Sequence, residues 1–129
     1  MKSKRALIVD DAPIILASCT RILEAEGYNV TCVKNAREAI ETLGKTYYDL
    51  MIMDIKMPEQ DGFYLLEKIR EKWPLEEWPK LPVLVMTGYP TPETLRALRK
   101  SGAGHFIPKP FTPDELTAAV QKLLEKSGP

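Results

Sequence analysis

Five times along this chain a short apolar run is followed by a longer amphipathic stretch, and that rhythm is the strongest constraint on its fold. The short runs are residues 6–10, 28–33, 49–54, 82–87 and 104–108. Each is too brief for a helix, and in Ala6-Leu7-Ile8-Val9 and Leu50-Met51-Ile52-Met53 every residue is apolar. Unbroken apolarity, unlike alternation, predicts strands covered on both faces, hence a mainly parallel sheet between two layers of helices.

The intervening stretches carry helical spacing and helix punctuation. Ile15, Cys19, Ile22 and Leu23 recur on one face of the first, and Gly27 ends it. Asn35 with Glu38 predicts a capping box for the second, with Gly44 near its end. The third follows Asp61-Gly62 and carries Leu65, Leu66 and Ile69. Thr91-Pro92 opens the fourth, Gly102 closes it, and Thr112-Pro113-Asp114-Glu115 opens the fifth. Leu116, Ala119, Val120, Leu123 and Leu124 form the buried stripe of that last helix. Strand–helix alternation of this kind predicts a doubly wound α/β domain. With no repeat or linker in the 129 residues, the chain reads as one domain, folded over about residues 4–126. The irregular stretch is 73–82, rich in Pro and Trp.

Eighteen basic residues balance eighteen acidic ones, which argues against nucleic acid or anionic lipid as a partner. The basic start is broken at once by Asp10-Asp11, too soon for a signal peptide or a membrane span, so the cytoplasm is expected. Cys19 and Cys32 form no metal or disulfide pattern and read as small core residues in a reducing compartment. The single histidine, His105, reads as an exposed strand residue without a metal partner.

In an open parallel sheet ligands bind outside the carboxyl ends of the strands. Those ends carry Asp10-Asp11, Asp54, Thr87 and Lys109, while strand two ends without a chemical group. Three carboxylates at one edge repel each other, and a hard divalent cation relieves that; oxygen donors select Mg²⁺. A lysine and a hydroxyl beside them suit the oxygens of a phosphoryl group. The set points to phosphoryl transfer with Asp54 as the covalent nucleophile. Each residue also has a plainer reading: Asp10-Asp11 as a helix cap, Asp54 as a turn residue before Met57-Pro58, Thr87 as a strand-end hydroxyl, Lys109 as a solvated charge. Asp61-Gly62 reads as structural, setting the turn into the third helix.

Taken together, Asp10-Asp11, the run from Asp54 through Lys56-Met57-Pro58 to Asp61-Gly62, Thr87-Gly88 and Lys109-Pro110-Phe111 resemble the receiver domain of two-component response regulators. The resemblance covers essentially the whole chain. It implies a flavodoxin-like sheet of order 2-1-3-4-5, with Asp54 as phosphoacceptor. Asp11 and Asp54 would bind Mg²⁺ directly, Asp10 through water, and the Lys56 backbone carbonyl would complete the protein ligands. Lys109, aimed by a cis bond to Pro110, would meet the phosphoryl oxygens, and Thr87 would donate its hydroxyl. Phe106 stands where the family has its switch aromatic. Lys56 and Tyr89, two residues after Asp54 and Thr87, are placed to govern the lifetime of the phosphate. The implied partners are a histidine kinase or histidine phosphotransfer protein and a downstream target or output domain, with a phosphorylation-dependent dimer as a further state. The chain departs from the family in the length of 73–82, whose Trp73 and Trp78 either pack back or dock a partner.

Two other functions compete. A haloacid-dehalogenase-like phosphatase also forms an aspartyl phosphate, but it needs an acid two residues after the nucleophile, where this chain has Lys56. A degenerate receiver would bind proteins without phosphorylation, yet every expected chemical group is present.

Overall fold

The computed structural model describes residues 4–56, 62–72, 81–88, 90–101, 103 and 105–127. Five strands alternate with five helices: β1 (Lys4–Val9), α1 (Pro13–Ala25), β2 (Tyr28–Val33), α2 (Ala36–Lys45), β3 (Leu50–Asp54), α3 (Gly62–Lys72), β4 (Val83–Thr87), α4 (Pro92–Lys100), β5 (Phe106–Pro108) and α5 (Pro113–Ser127). All strand pairs are parallel, in the order β2-β1-β3-β4-β5. The order reverses between β1 and β3, so the crevice of a doubly wound sheet opens where Asp10 and Asp54 emerge.

The unbroken apolarity of the central strands has a direct cause. Successive side chains point to opposite faces, and both faces are covered. Leu7, Val9, Met51, Met53 and Val85 pack with Ala36, Ala39 and Leu43 of α2, Leu65 and Leu66 of α3 and Leu98 of α4. Ala6, Ile8, Leu50, Ile52, Leu84 and Met86 face the other way, onto Cys19 and Leu23 of α1 and Leu116, Val120 and Leu123 of α5. Residues 50–53 are fully buried, and each such side chain contributes on the order of 2 kcal/mol by leaving water. The register Val9↔Met53↔Val85 aligns the strand ends, so that Asp10, Asp54 and Thr87 reach the same edge.

The helix starts follow the punctuation, with one difference. The α2 box forms, the Asn35 side chain accepting from the Glu38 N–H at 2.9 Å. Its return bond reaches the Lys34 N–H at 3.2 Å. Thr91 caps α4 through the Thr94 N–H, and Thr112 with Glu115 closes a reciprocal box on α5. The first helix departs from expectation: its N-cap is Ala12, no side chain caps it, and Pro13 supplies the preset first turn. Asp10-Asp11 are therefore not its cap. Gly27, at φ 93, makes the left-handed turn after α1, and Gly44 lies near the end of α2, which closes at Lys45.

Four further expectations are corrected. β1 begins at Lys4, two residues early, because Lys4 and Arg5 pair with Tyr28 and Asn29 at an exposed end that needs no apolar side chain. β5 starts only at Phe106. His105 precedes that strand and is half-buried. Cys19 is buried, and burial pushes its thiol up to about 12; Cys32 is exposed, on the edge strand, with its Sγ 3.2 Å from the Thr20 hydroxyl. Residues 73–80, including Trp73 and Trp78, together with Met57, Pro58, Asp61, Tyr89 and Gly102, lie outside the described residues.

Candidate functional site

Burial, not exposure, dominates the acidic edge. Asp10 is fully buried and Asp54 is 8% exposed, while Asp11 faces solvent. Potential ligand oxygens of all three lie within 4.8 Å of one another. Charges packed this closely in a poorly hydrated place repel strongly unless something offsets them. In this structure Lys109 does so. Its ammonium donates to Asp10 Oδ2 at 3.1 Å and to Asp54 Oδ2 at 3.0 Å.

The other oxygens of the buried pair are held by backbone. Asp10 Oδ1 accepts from the Ala12 N–H at 2.9 Å, and Asp54 Oδ1 from the Lys56 N–H at 3.0 Å. Lys109 is itself placed by a backbone bond, its N–H donating to the Thr87 carbonyl at 2.8 Å, and the Lys109–Pro110 peptide is cis. Burial raises the Asp10 pKa above the usual carboxylate value, against the pull of the Ala12 N–H and Lys109. Burial also works against the Lys109 charge, but the two carboxylates outweigh it and leave that pKa raised.

Thr87 ends β4 almost fully buried. One strand over, Phe106 pairs with Val85 and Pro108 with Thr87, so Phe106 sits one pleat below Thr87 on the same face of the sheet. Phe106 is 38% exposed, while Ile107 points to the opposite core. Of the residues singled out from sequence, the structure thus gathers Asp10, Asp11, Asp54, Lys109 and the backbone of Lys56 into one site. Thr87 borders it, Phe106 lies one step away, and the Lys56 side chain is exposed. Tyr89 is outside the described residues. Sequence reasoning missed the Ala12 N–H, which no side-chain pattern reveals.

Hard carboxylate oxygens, one of them exposed, form a donor set that fits Mg²⁺ and suits softer metals poorly. A parallel sheet with carboxylates and a lysine gathered at its topological switch defines a class: doubly wound α/β domains whose chemistry sits at the strand ends. Within it the identity is specific. The model of the response regulator receiver domain family matches residues 6–121, and this chain belongs to that family.

Relatives agree. A protein of Leptolyngbya boryana, known as an uncharacterized 14.6 kDa protein in the sodA1 3′ region, is 37% identical over 90% of this chain and 86% of its own length. Regulatory protein AtoC of Escherichia coli is 33% identical over 94% of this chain, which spans only 25% of that protein. The chemotaxis response regulator CheY4 of Vibrio cholerae superposes with a TM-score of 0.86 at 28% identity, covering 95% of this chain and all of its own. Receiver domains serve phosphorylation-dependent signal transduction in two-component systems; they are signalling domains, generally not enzymes. No helix among the described residues is long and apolar enough to cross a membrane.

Proposed function

We propose that this chain is a cytoplasmic phosphorylation switch that accepts a phosphoryl group on Asp54 from a histidine kinase or a histidine phosphotransfer protein. The observation that carries this reading is the Lys109 ammonium lying between Asp10 and Asp54, at 3.1 and 3.0 Å, beside the exposed Asp11. A carboxylate oxygen of Asp54 forms the new bond to phosphorus, and the donor's leaving group departs with the electron pair of the bond it loses. Lys109 meets the arriving phosphoryl oxygens by a charge-assisted bond, and the Thr87 hydroxyl donates to another. Asp10, Asp11, Asp54 and the Lys56 carbonyl are the groups that would hold Mg²⁺. Bound there, the ion supplies positive charge for the phosphoryl oxygens. The domain would occupy about residues 4–126.

Incubation with a small acyl phosphate should add one phosphoryl group per chain when Mg²⁺ is present and essentially none in excess chelator. Intact-mass spectrometry reads the difference, and equal labelling in both would sink the proposed metal dependence. The added charge should draw Thr87 inward and let Phe106 follow, shifting an existing equilibrium on the face of α4, β5 and α5 toward a form read by a target, an output domain or a second copy. Amide chemical shifts around Phe106 and residues 95–99 should move on phosphorylation. Shifts confined to the surroundings of Asp54 would refute the switch.

The bound phosphate should persist for minutes to hours rather than seconds. Hydrolysis needs a water in line with phosphorus, and Lys56 and Tyr89 are long side chains with no carboxylate or amide to align one. Decay of the mass-labelled protein, beside Lys56→Asn and Tyr89→Ala, tests this. Faster loss in the variants is expected, and decay within seconds in the wild type would overturn it.

A further inference from the structure

The first residue of α3 touches the backbone that carries Asp54. A Cβ placed on the buried Gly62 would stand 2.7 Å from Met53 Cε, 2.8 Å from Ile55 Cα and 2.9 Å from the Asp54 carbonyl oxygen. Real Cβ atoms do not come this close to other heavy atoms, so a side chain here has to displace something. The Met53 methyl ends a flexible chain and could yield; the two backbone atoms could not without moving the exit of β3.

Three hydrogen bonds tie that exit to the phosphoacceptor. The Ile55 N–H donates to the Met86 carbonyl at 3.1 Å, and the Ile55 carbonyl accepts from the Gly62 N–H at 2.8 Å. The peptide group formed by Ile55 and Lys56 supplies the N–H that holds Asp54 Oδ1 at 3.0 Å. Pushing Ile55 away from Gly62 therefore rotates or shifts the donor that orients the Asp54 carboxylate.

We infer that Gly62 is a positioning residue for phosphoryl acceptance: its missing side chain lets the start of α3 seat against β3 and so sets the aim of Asp54. Positioning to within fractions of an ångström governs such reactions, and a misplacement near 1 Å can cost about a hundredfold in rate. The inference rests on the reading of Asp54 as the acceptor. It extends the expected role of Gly62, which the sequence offered only as a turn into the helix.

The test compares the rate of acyl-phosphate labelling, per folded molecule and at saturating Mg²⁺, in wild type, Gly62→Ala and Leu66→Ala. Leu66 is buried one turn further along the same helix, and its truncation removes stability while adding no atom against the β3 exit. Gly62→Ala should label about tenfold more slowly or worse, with the Lys56 amide resonance displaced, while Leu66→Ala keeps the wild-type rate. The double variant Met53→Ala/Gly62→Ala relieves the side-chain collision, serves if the single variant is too unstable to assay, and should remain slow. A wild-type rate in Gly62→Ala, or its recovery in the double variant, overturns the inference. A wild type that takes no phosphate at all removes the acceptor reading and this inference with it.

Discussion

Asp54→Asn should reduce phosphate incorporation to background while leaving the domain folded. The three acids are not equivalent as nucleophiles. Asp10 is fully buried, and its two oxygens are held by the Ala12 N–H and by Lys109. Asp11 is exposed, and no ion pair among the described residues sets a lysine or arginine beside it. Asp54 is held in the same manner, by the Lys56 N–H and by Lys109, but unlike Asp10 it keeps some exposure, at 8%, so a donor can reach it. The bound end sets direction, and the end beside the lysine is where an incoming phosphoryl group finds a counter-charge. Asparagine keeps the size and the bond from Lys56 but lacks the anionic oxygen needed to attack phosphorus. Asp11→Asn is the companion variant. It should label fully once Mg²⁺ is raised, and it should unfold no more readily than wild type, since α1 takes no side-chain cap from it. Intact-mass spectrometry separates the two, and undiminished labelling of Asp54→Asn would show that another residue accepts the phosphate.

The legibility of these features differed with their physical origin. The sheet could be read because covering a strand on both faces leaves a run such as Leu50-Met51-Ile52-Met53, which few other structures require. The site could be read for a related reason: a parallel sheet brings its strand ends to one edge, so chemistry spread over a hundred residues converges without any local motif. What escaped was set by neighbours distant in sequence. Lys4 and Arg5 extend β1 because their partners on β2 lie at an exposed end. Cys32 belongs to an apolar stretch but sits on the edge strand, where its Sγ lies beside the Thr20 hydroxyl of α1 and stays exposed. Gly62 looks like an ordinary turn glycine until Ile55 and Asp54 are seen to fill the space a Cβ would need. The capping role offered for Asp10 failed because a buried carboxylate facing a lysine serves the strand edge, while Pro13 had already preset the helix.

Lys109→Met should destabilise the metal-free protein by about 3 kcal/mol at neutral pH, because it strips the counter-charge from a buried carboxylate pair. The lysine side chain is 22% exposed, against 0% and 11% for Asp10 and Asp54, so water can replace little of what it supplies. The pH dependence follows from the two raised pKa values. Lys109 binds its proton more tightly when folded, so its stabilising contribution is complete below the unfolded pKa and disappears as pH rises through the folded one. Asp10 also holds its proton more tightly when folded, which costs stability as pH climbs from 3.8 through its folded pKa. Removing Lys109 takes away two of the influences that restrain the Asp10 shift and so enlarges that cost. The gap between variant and wild type should therefore be widest at neutral pH and close as acid protonates Asp10. Adding Asp10→Asn to Lys109→Met should recover most of the loss, since the charge left unpaired is then gone. Urea titrations in chelator at neutral and mildly acidic pH measure all of this. A variant as stable as wild type at neutral pH would mean that solvent, not Lys109, neutralises the acidic edge.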